Sequence, residues 1–139
     1  MKAHIKWVEN RVFVGESGSG HAIVCGTSHE GSPQICASPM EVLLIGVGAC
    51  TAYDVVHILE KSREQISDCS VELDAERATE DPKVFTKLHI HFVVKGKGLS
   101  PAKVERAVKL SAEKYCSASA MIAKTATITH DFVVVGDTA

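Results

Sequence analysis

A long apolar stretch in the first half of the chain constrains the fold more than any other feature. It runs from Val42 to Leu59 and is interrupted by Tyr53, Asp54 and His57. An unpaired aspartate in the middle of a bilayer is costly, so we expect a buried helix of a soluble protein and not a membrane span. The stretch is apolar on nearly every side, which predicts a helix lying inside the fold.

The residues before this stretch carry a signal for the start of a helix. In the segment Ser38-Pro39-Met40-Glu41, Ser38 suits the N-cap and Pro39 the first helical position. Glu41 stands three residues after the cap, as in a capping box. The helix is therefore predicted to begin at this segment and to run to about Lys61.

Length and composition indicate one soluble domain over residues 1–139. The hydrophobic share of 45% is enough for a core, and 139 residues are few for two domains. The net charge is −2 and aromatic residues make up 5%, which argues against a nucleic-acid partner. Residues 1–7 contain no apolar run of signal-peptide length, so we expect a cytoplasmic protein with no membrane partner.

Patterns in the first part of the chain predict three strands before the long helix. Residues 2–8 alternate, with Ala3, Ile5 and Trp7 on one face, which predicts a half-buried strand. Two further strands are predicted over residues 12–14 and 22–25. The Gly-rich segment 15–20 is interpreted as a hairpin turn, because the lysine that a phosphate loop requires does not follow it.

A hairpin of two strands is predicted after the helix, with the turn near residues 79–83. Its expected register joins apolar to apolar and acidic to basic side chains. The pairs are Leu73 with Ile90, Glu76 with Lys87, and Asp74 with His89.

The remaining residues predict a second helix and a closing strand. The helix starts at Ser100-Pro101, and its inner face is predicted to hold Val104, Ala107, Val108, Ser111 and Tyr115. A short helical piece over residues 117–124 and a β-branched strand over 125–135 follow. The fold class is therefore α+β, in the order βββ-α-ββ-α-β.

Five cysteines are present, and no two form a C-x-x-C pair: Cys25, Cys36, Cys50, Cys69 and Cys116. An odd number in a reducing compartment argues against a disulfide scaffold, and the spacing argues against structural zinc. Cys50 lies in the first helix beside two glycines, and Cys116 lies near the end of the second helix. Two interpretations stay open: small buried side chains, or a cycling thiol pair if the two helices pack together.

A second candidate constellation is His89-x-His91, which puts two imidazoles on one face of a strand. Such a pair could hold a metal ion, but no nearby Cys or Asp in the sequence offers a third ligand. Neither a metal site nor a cofactor is therefore predicted.

Three segments resemble the OsmC/Ohr family of hydroperoxide-reducing proteins, and most closely its YhfA-like branch. They are residues 38–44 (SPMEVLL), residues 48–52 (GACTA) and residues 111–117 (SAEKYCS). Trp7 and the turn 15–21 (GESGSGH) also fit that branch. The resemblance extends over nearly the whole chain.

The resemblance implies an OsmC-like fold in which sheets wrap around two central helices in an intertwined homodimer. Each active site would lie at the subunit interface. The implied activity is that of a thiol-dependent peroxidase acting on organic hydroperoxides. Cys50 would be the peroxidatic thiol and Cys116 the resolving thiol, and an external dithiol would reduce the disulfide that they form.

The chain departs from the family pattern at two positions. The family glutamate ten residues before the first cysteine is Met40 here, and Glu41, one position late, is expected to be a cap. The Gly-rich turn lacks the family arginine. What activates Cys50 is left open, with His57, Lys114 and Arg11 as candidates.

These departures keep two other functions open for the same fold. One is a binding or redox-sensing protein without strong peroxidase activity. The other is a protein that handles disulfides or persulfides.

Overall fold

The computed structural model describes residues 1–137 and confirms the predicted order of elements. The strands are β1 (Ala3–Glu9), β2 (Val12–Ser17), β3 (Ala22–Gly26), β4 (Gln65–Arg77), β5 (Phe85–Lys97) and β6 (Thr127–Gly136). The helices are α1 (Pro39–Lys61), α2 (Pro101–Leu110) and α3 (Ser117–Ile122), and a π-helical turn (Ser111–Tyr115) follows α2.

The chain forms two compact units, one over residues 1–45 and one that starts at Gly46. The boundary lies within α1. The expectation of a single domain over residues 1–139 stays a prediction.

The first unit contains the antiparallel sheet β1-β2-β3. Trp7 pairs with Phe13, and Phe13 pairs with Cys25 across the sheet. The prediction of a half-buried first strand was wrong, because Ile5 and Trp7 are each 62% exposed. Alternation correctly indicated a strand, but residues 1–45 provide no second layer to cover its apolar face.

The second unit is built on the sheet β4-β5-β6, in which β4 and β5 are antiparallel and β5 and β6 are parallel. The predicted register of the hairpin is confirmed in all three pairs, and Lys87 Nζ lies 3.2 Å from Glu76 Oε2. One face of β5 forms the centre of the core through Leu88, Ile90, Phe92 and Val94.

The capping box at the start of α1 is confirmed. Ser38 N donates to Glu41 Oε2 at 2.7 Å, and Glu41 N donates to Ser38 Oγ at 3.2 Å. The first of these bonds, a backbone N–H at a carboxylate, is the largest cause that lowers the pKa of Glu41. Glu41 is therefore a cap, as expected from its position.

The expectation that α1 lies wholly inside the fold was wrong for the single chain. One stripe at four-residue spacing is buried: Val47, Thr51, Val55 and Leu59. Apolar residues on other faces are exposed, with Tyr53 at 69%. Among the helices in residues 1–137, α1 is long and apolar enough to cross a membrane, a test that core helices of soluble proteins also pass.

Gly48 allows α1 to approach the sheet closely. A Cβ added at this position would lie 2.7 Å from Leu73 Cδ1 on β4. The glycine therefore accommodates a close neighbour, which is a side chain of the sheet.

Four of the five residues predicted on the inner face of α2 are buried, and Tyr115 is not. In the π turn, Cys116 N donates to Ser111 O at 2.9 Å, five residues back instead of four. The extra residue in this turn brings Cys116 to the buried side, and Tyr115 is left 50% exposed.

Candidate active site

The two cysteines singled out from the sequence lie side by side. Cys50 belongs to the middle of α1, and Cys116 lies between the π turn and α3. The Cys50 thiol is near enough to the Cys116 thiol to raise its pKa, and both thiols are free. The fold therefore brings together two sulfur atoms that are far apart along the chain.

Cys116 is the more enclosed of the two thiols, at 4% exposure. Desolvation by burial is the main cause that raises its pKa, and the neighbouring Cys50 thiol raises it as well. Hydrogen bonds from Ser119 act in the opposite direction. The Cys50 side of the pair is partly open, since Cys50 is only half-buried.

Cys116 is also the N-cap of α3. Its Sγ accepts hydrogen bonds from Ser119 N at 3.4 Å and from Ser119 Oγ at 3.1 Å. Ser119 is itself buried. Ser119 was not singled out from the sequence, although it stands three residues after Cys116, the spacing at which an N-cap side chain accepts from a backbone N–H.

A buried hydroxyl network ties α1 to the turn that precedes Cys116. Ser111 Oγ lies 2.8 Å from Thr51 Oγ1 and donates to Asp54 Oδ2 at 3.0 Å. Thr51 follows Cys50 in the chain, and Asp54 lies one helical turn further on. The network therefore joins the two segments that hold the two thiols.

A groove of about 480 Å³ lies between α1 and α2, one helical turn from Cys50. Asp54, Ile58 and Lys61 line it from α1. Arg106 and Leu110 line it from α2, together with Tyr115 of the π turn. The groove offers space for a small molecule near the thiol pair.

The three candidates for activating Cys50 lie in different places, and which of them acts on the thiol stays a prediction. His57 lines the groove described above. The His57 ring is stacked on the Tyr53 ring, with centroids 5.9 Å apart. Lys114 Nζ lies 5.3 Å from the centre of the Tyr115 ring. Arg11 belongs to the first unit, and its role stays a prediction.

The histidine pair has an aspartate neighbour that sequence reasoning missed. Asp131 Oδ1 lies 2.7 Å from His91 Nδ1 and 3.0 Å from His89 Nε2. Parallel pairing of β5 and β6 places Asp131 opposite His91. The hydrogen bond from His91 is the main cause that lowers the Asp131 pKa. Within residues 1–137, however, no three His, Cys, Asp or Glu residues are arranged to hold a metal ion.

The other three cysteines are half-buried free thiols: Cys25, Cys36 and Cys69. Burial, followed by the nearby Asp68 carboxylate, raises the pKa of Cys69. Cys25 lies on β3, where it forms an isolated parallel bridge with Ala37.

Comparisons with known proteins agree with this architecture. Residues 30–131 match the family model of OsmC-like proteins. The protein YhfA of Escherichia coli strain K12 is 49% identical over 136 residues, which cover 97% of this chain and 98% of YhfA.

Solved structures extend the likeness to the whole fold. A hypothetical protein from Aquifex aeolicus superposes with a TM-score of 0.86 at 28% identity, over 99% of this chain and 97% of that one. An organic hydroperoxide resistance protein OsmC from Legionella pneumophila has a TM-score of 0.69 at 18% identity, over 96% and 98% of the two chains. By family model, full-length identity and fold, the chain belongs to the OsmC-like protein family.

Proposed function

We propose that this protein reduces organic hydroperoxides with Cys50 and Cys116 as a cycling thiol pair. The observation that carries the proposal is the proximity of these two free thiols, which come from different elements of the fold. A redox or hydroperoxide-resistance role is supported by membership of the family. Two adjacent thiols supply the two electrons that reduction of a peroxide bond requires.

In the proposed first step, the Cys50 thiolate attacks the distal oxygen of the hydroperoxide. The O–O bond breaks, the alcohol leaves after taking up a proton, and Cys50 becomes a sulfenic acid. The Cys116 thiolate then attacks the Cys50 sulfur and displaces hydroxide, which leaves as water after protonation. An external dithiol returns two electrons to the resulting disulfide.

The assignment of the two roles rests on access. Cys50 is half-buried, whereas Cys116 is 4% exposed and is held by Ser119. A peroxide entering from the partly open side meets Cys50 first. Cys116 is then in position to attack the oxidised sulfur without any peroxide having to reach it.

Homodimer formation and a cytoplasmic location are part of the proposal. Large apolar side chains are exposed on α1 and β1 in the single chain: Leu43, Ile45, Tyr53, Ile5 and Trp7. A soluble protein gains free energy by covering such a surface, and a second copy of the chain is the occupant we propose. Free thiols fit a reducing compartment.

The proposal is tested by counting thiols after addition of one equivalent of cumene hydroperoxide to reduced protein. We expect two thiols to be lost per chain. Cys50→Ser should abolish the reaction, and Cys116→Ser should leave a sulfenic acid at Cys50 that dimedone traps. Cys69→Ser is the matched control and should react as the unchanged protein does.

The remaining outcomes separate the alternatives. No thiol loss with hydroperoxide would contradict the proposal and favour a binding protein. Reaction with a persulfide donor, but not with hydroperoxide, would favour persulfide handling by the same pair.

A further inference from the structure

Ser119 presents two hydrogen-bond donors to the enclosed sulfur of the thiol pair. Its backbone N–H reaches Cys116 Sγ at 3.4 Å, and its hydroxyl reaches the same atom at the shorter distance of 3.1 Å. Both residues are buried, with Ser119 at 5% exposure. A sulfur atom with two converging donors is arranged to carry negative charge.

Capping of α3 does not require the hydrogen bond from the Ser119 hydroxyl to Cys116 Sγ. Capping uses the bond from Ser119 N to the side chain of the N-cap residue. In a capping box the side chain at the position of Ser119 would accept from the N-cap N–H instead. Here Cys116 N already donates to Ser111 O in the π turn, at 2.9 Å, so the Ser119 hydroxyl is directed to the sulfur.

The two-cysteine cycle requires a charge on Cys116 at two points. Cys116 must be a thiolate when it attacks the Cys50 sulfenic acid. It must leave as a thiolate when a reductant attacks the Cys50 sulfur and the S–S bond breaks. Burial disfavours this charge, so donors at the sulfur matter more here than at an exposed thiol.

We propose that Ser119 is the hydrogen-bond donor that stabilises Cys116 as attacking and as leaving thiolate. The proposal rests on the proposed thiol cycle and assigns Ser119 to its second and third steps alone. In reduction, a dithiol thiolate attacks Cys50 Sγ, the S–S bond electrons pass to Cys116 Sγ, and a mixed disulfide forms at Cys50. The second thiol of the reductant then closes its own disulfide and releases Cys50.

The first test measures the Cys116 thiolate by its ultraviolet absorbance over a pH titration, in a background in which the other four cysteines, Cys25, Cys36, Cys50 and Cys69, are replaced by serine. Ser119→Ala should raise the Cys116 pKa. Ser117→Ala, which changes an exposed serine of the same helix, should leave it unchanged. Ser119→Thr keeps the hydroxyl and should restore the titration. Identical titrations for Ser119→Ala and Ser117→Ala would overturn the proposal.

The second test separates the steps of the cycle in the otherwise unchanged protein. Ser119→Ala should form the Cys50 sulfenic acid at the normal rate but close the disulfide roughly tenfold or more slowly, the effect of losing a hydrogen bond to a charged group. Disulfide made with diamide should be reduced by dithiothreitol more slowly by a similar factor. Equal slowing of sulfenic acid formation would indicate a general structural defect and contradict the proposal.

These measurements separate failure of this inference from failure of the proposed function. The titration and the reduction of the diamide-made disulfide need no hydroperoxide. If hydroperoxide leaves the thiols unchanged, the peroxidase proposal fails while the Ser119 assignment is still decided by those two experiments.

Discussion

The surroundings of two cysteines in this chain, Cys69 and Cys116, oppose ionisation of the thiol. Burial, followed by the nearby Asp68, raises the pKa of Cys69, and burial is also the main cause that raises the pKa of Cys116. A thiol whose pKa is higher in the folded than in the unfolded chain holds its proton more tightly when folded. Such a thiol contributes its full share of stability at pH values below its pKa in the unfolded chain. That contribution is lost as the pH rises through its pKa in the folded chain.

This reasoning predicts an alkaline loss of stability that depends on Cys69. Cys69→Ala should cost about 1 kcal/mol at pH 7, where the half-buried thiol is protonated and packs as an apolar group. The cost should shrink as the pH rises above the ordinary thiol pKa, because the unchanged protein then loses its thiol contribution. Urea unfolding of both proteins at pH 7 and pH 10 measures the difference, and a cost independent of pH would contradict the prediction.

At the scale of the elements, Gly48 determines how closely helix α1 packs against strand β4. Glycine in a helix costs about 1 kcal/mol relative to alanine, so its place in α1 requires a packing reason. The 2.7 Å separation between a Cβ at position 48 and Leu73 Cδ1 supplies one. Gly48 lies two residues before Cys50 on the same helix.

Gly48→Ala is predicted to lower the free energy of unfolding by about 1 kcal/mol. Overpacking costs roughly 1–3 kcal/mol, which exceeds the gain in helix propensity. Leu73→Val removes the Cδ1 atom that the new Cβ would meet. The double variant should therefore lose less free energy of unfolding than the sum of the losses in the two single variants. Chemical denaturation of the four proteins tests this, and strictly additive losses would show that the contact is not limiting.

At the scale of the whole molecule, the single chain exposes a large apolar surface to water, which is energetically unfavourable. Val47 and Val55 of α1 are buried in the chain, whereas Ile45 is 62% exposed on the same helix. An exposed apolar face of this kind is typical of a surface that another chain covers. The homodimer proposal assigns that face to a second copy.

Sedimentation equilibrium should accordingly give twice the chain mass of 14.9 kDa. Ile45→Glu places a charge on the exposed face of α1 and should shift the protein to monomers at micromolar concentration, because an unpaired charge in an apolar interface is costly. Lys109→Glu, on the exposed side of α2, should leave the mass unchanged. A single-chain mass for the unchanged protein would contradict the proposed dimer.

Local patterns predicted much of the fold and part of the site. Ser38 and Glu41 lie within one helical turn, so their capping box follows from neighbours in the sequence. The register of Leu73 against Ile90 follows from alternation on two adjacent strands. Cys50 and Cys116 could be singled out by their positions and by the family resemblance.

The tertiary structure alone decided which distant side chains meet. The Ser111 hydroxyl reaches Asp54 because α1 and the π turn pack together, and Asp131 reaches His91 because β6 pairs in parallel with β5. Tyr115 is exposed, and not on the inner face as predicted, because the π turn adds a residue that the helical pattern in the sequence does not reveal.

By itself, then, the sequence determined the elements, their order and the chemistry available at two thiols. Its signals are local: they repeat every two residues in strands and every three to four in helices. The proximity of Cys50 to Cys116, and the hydrogen bond from Ser119 Oγ to Cys116 Sγ, depended on packing and on a change of helix type at one turn. Those contacts join side chains whose distance is set by the fold as a whole, and therefore only the structure could decide them.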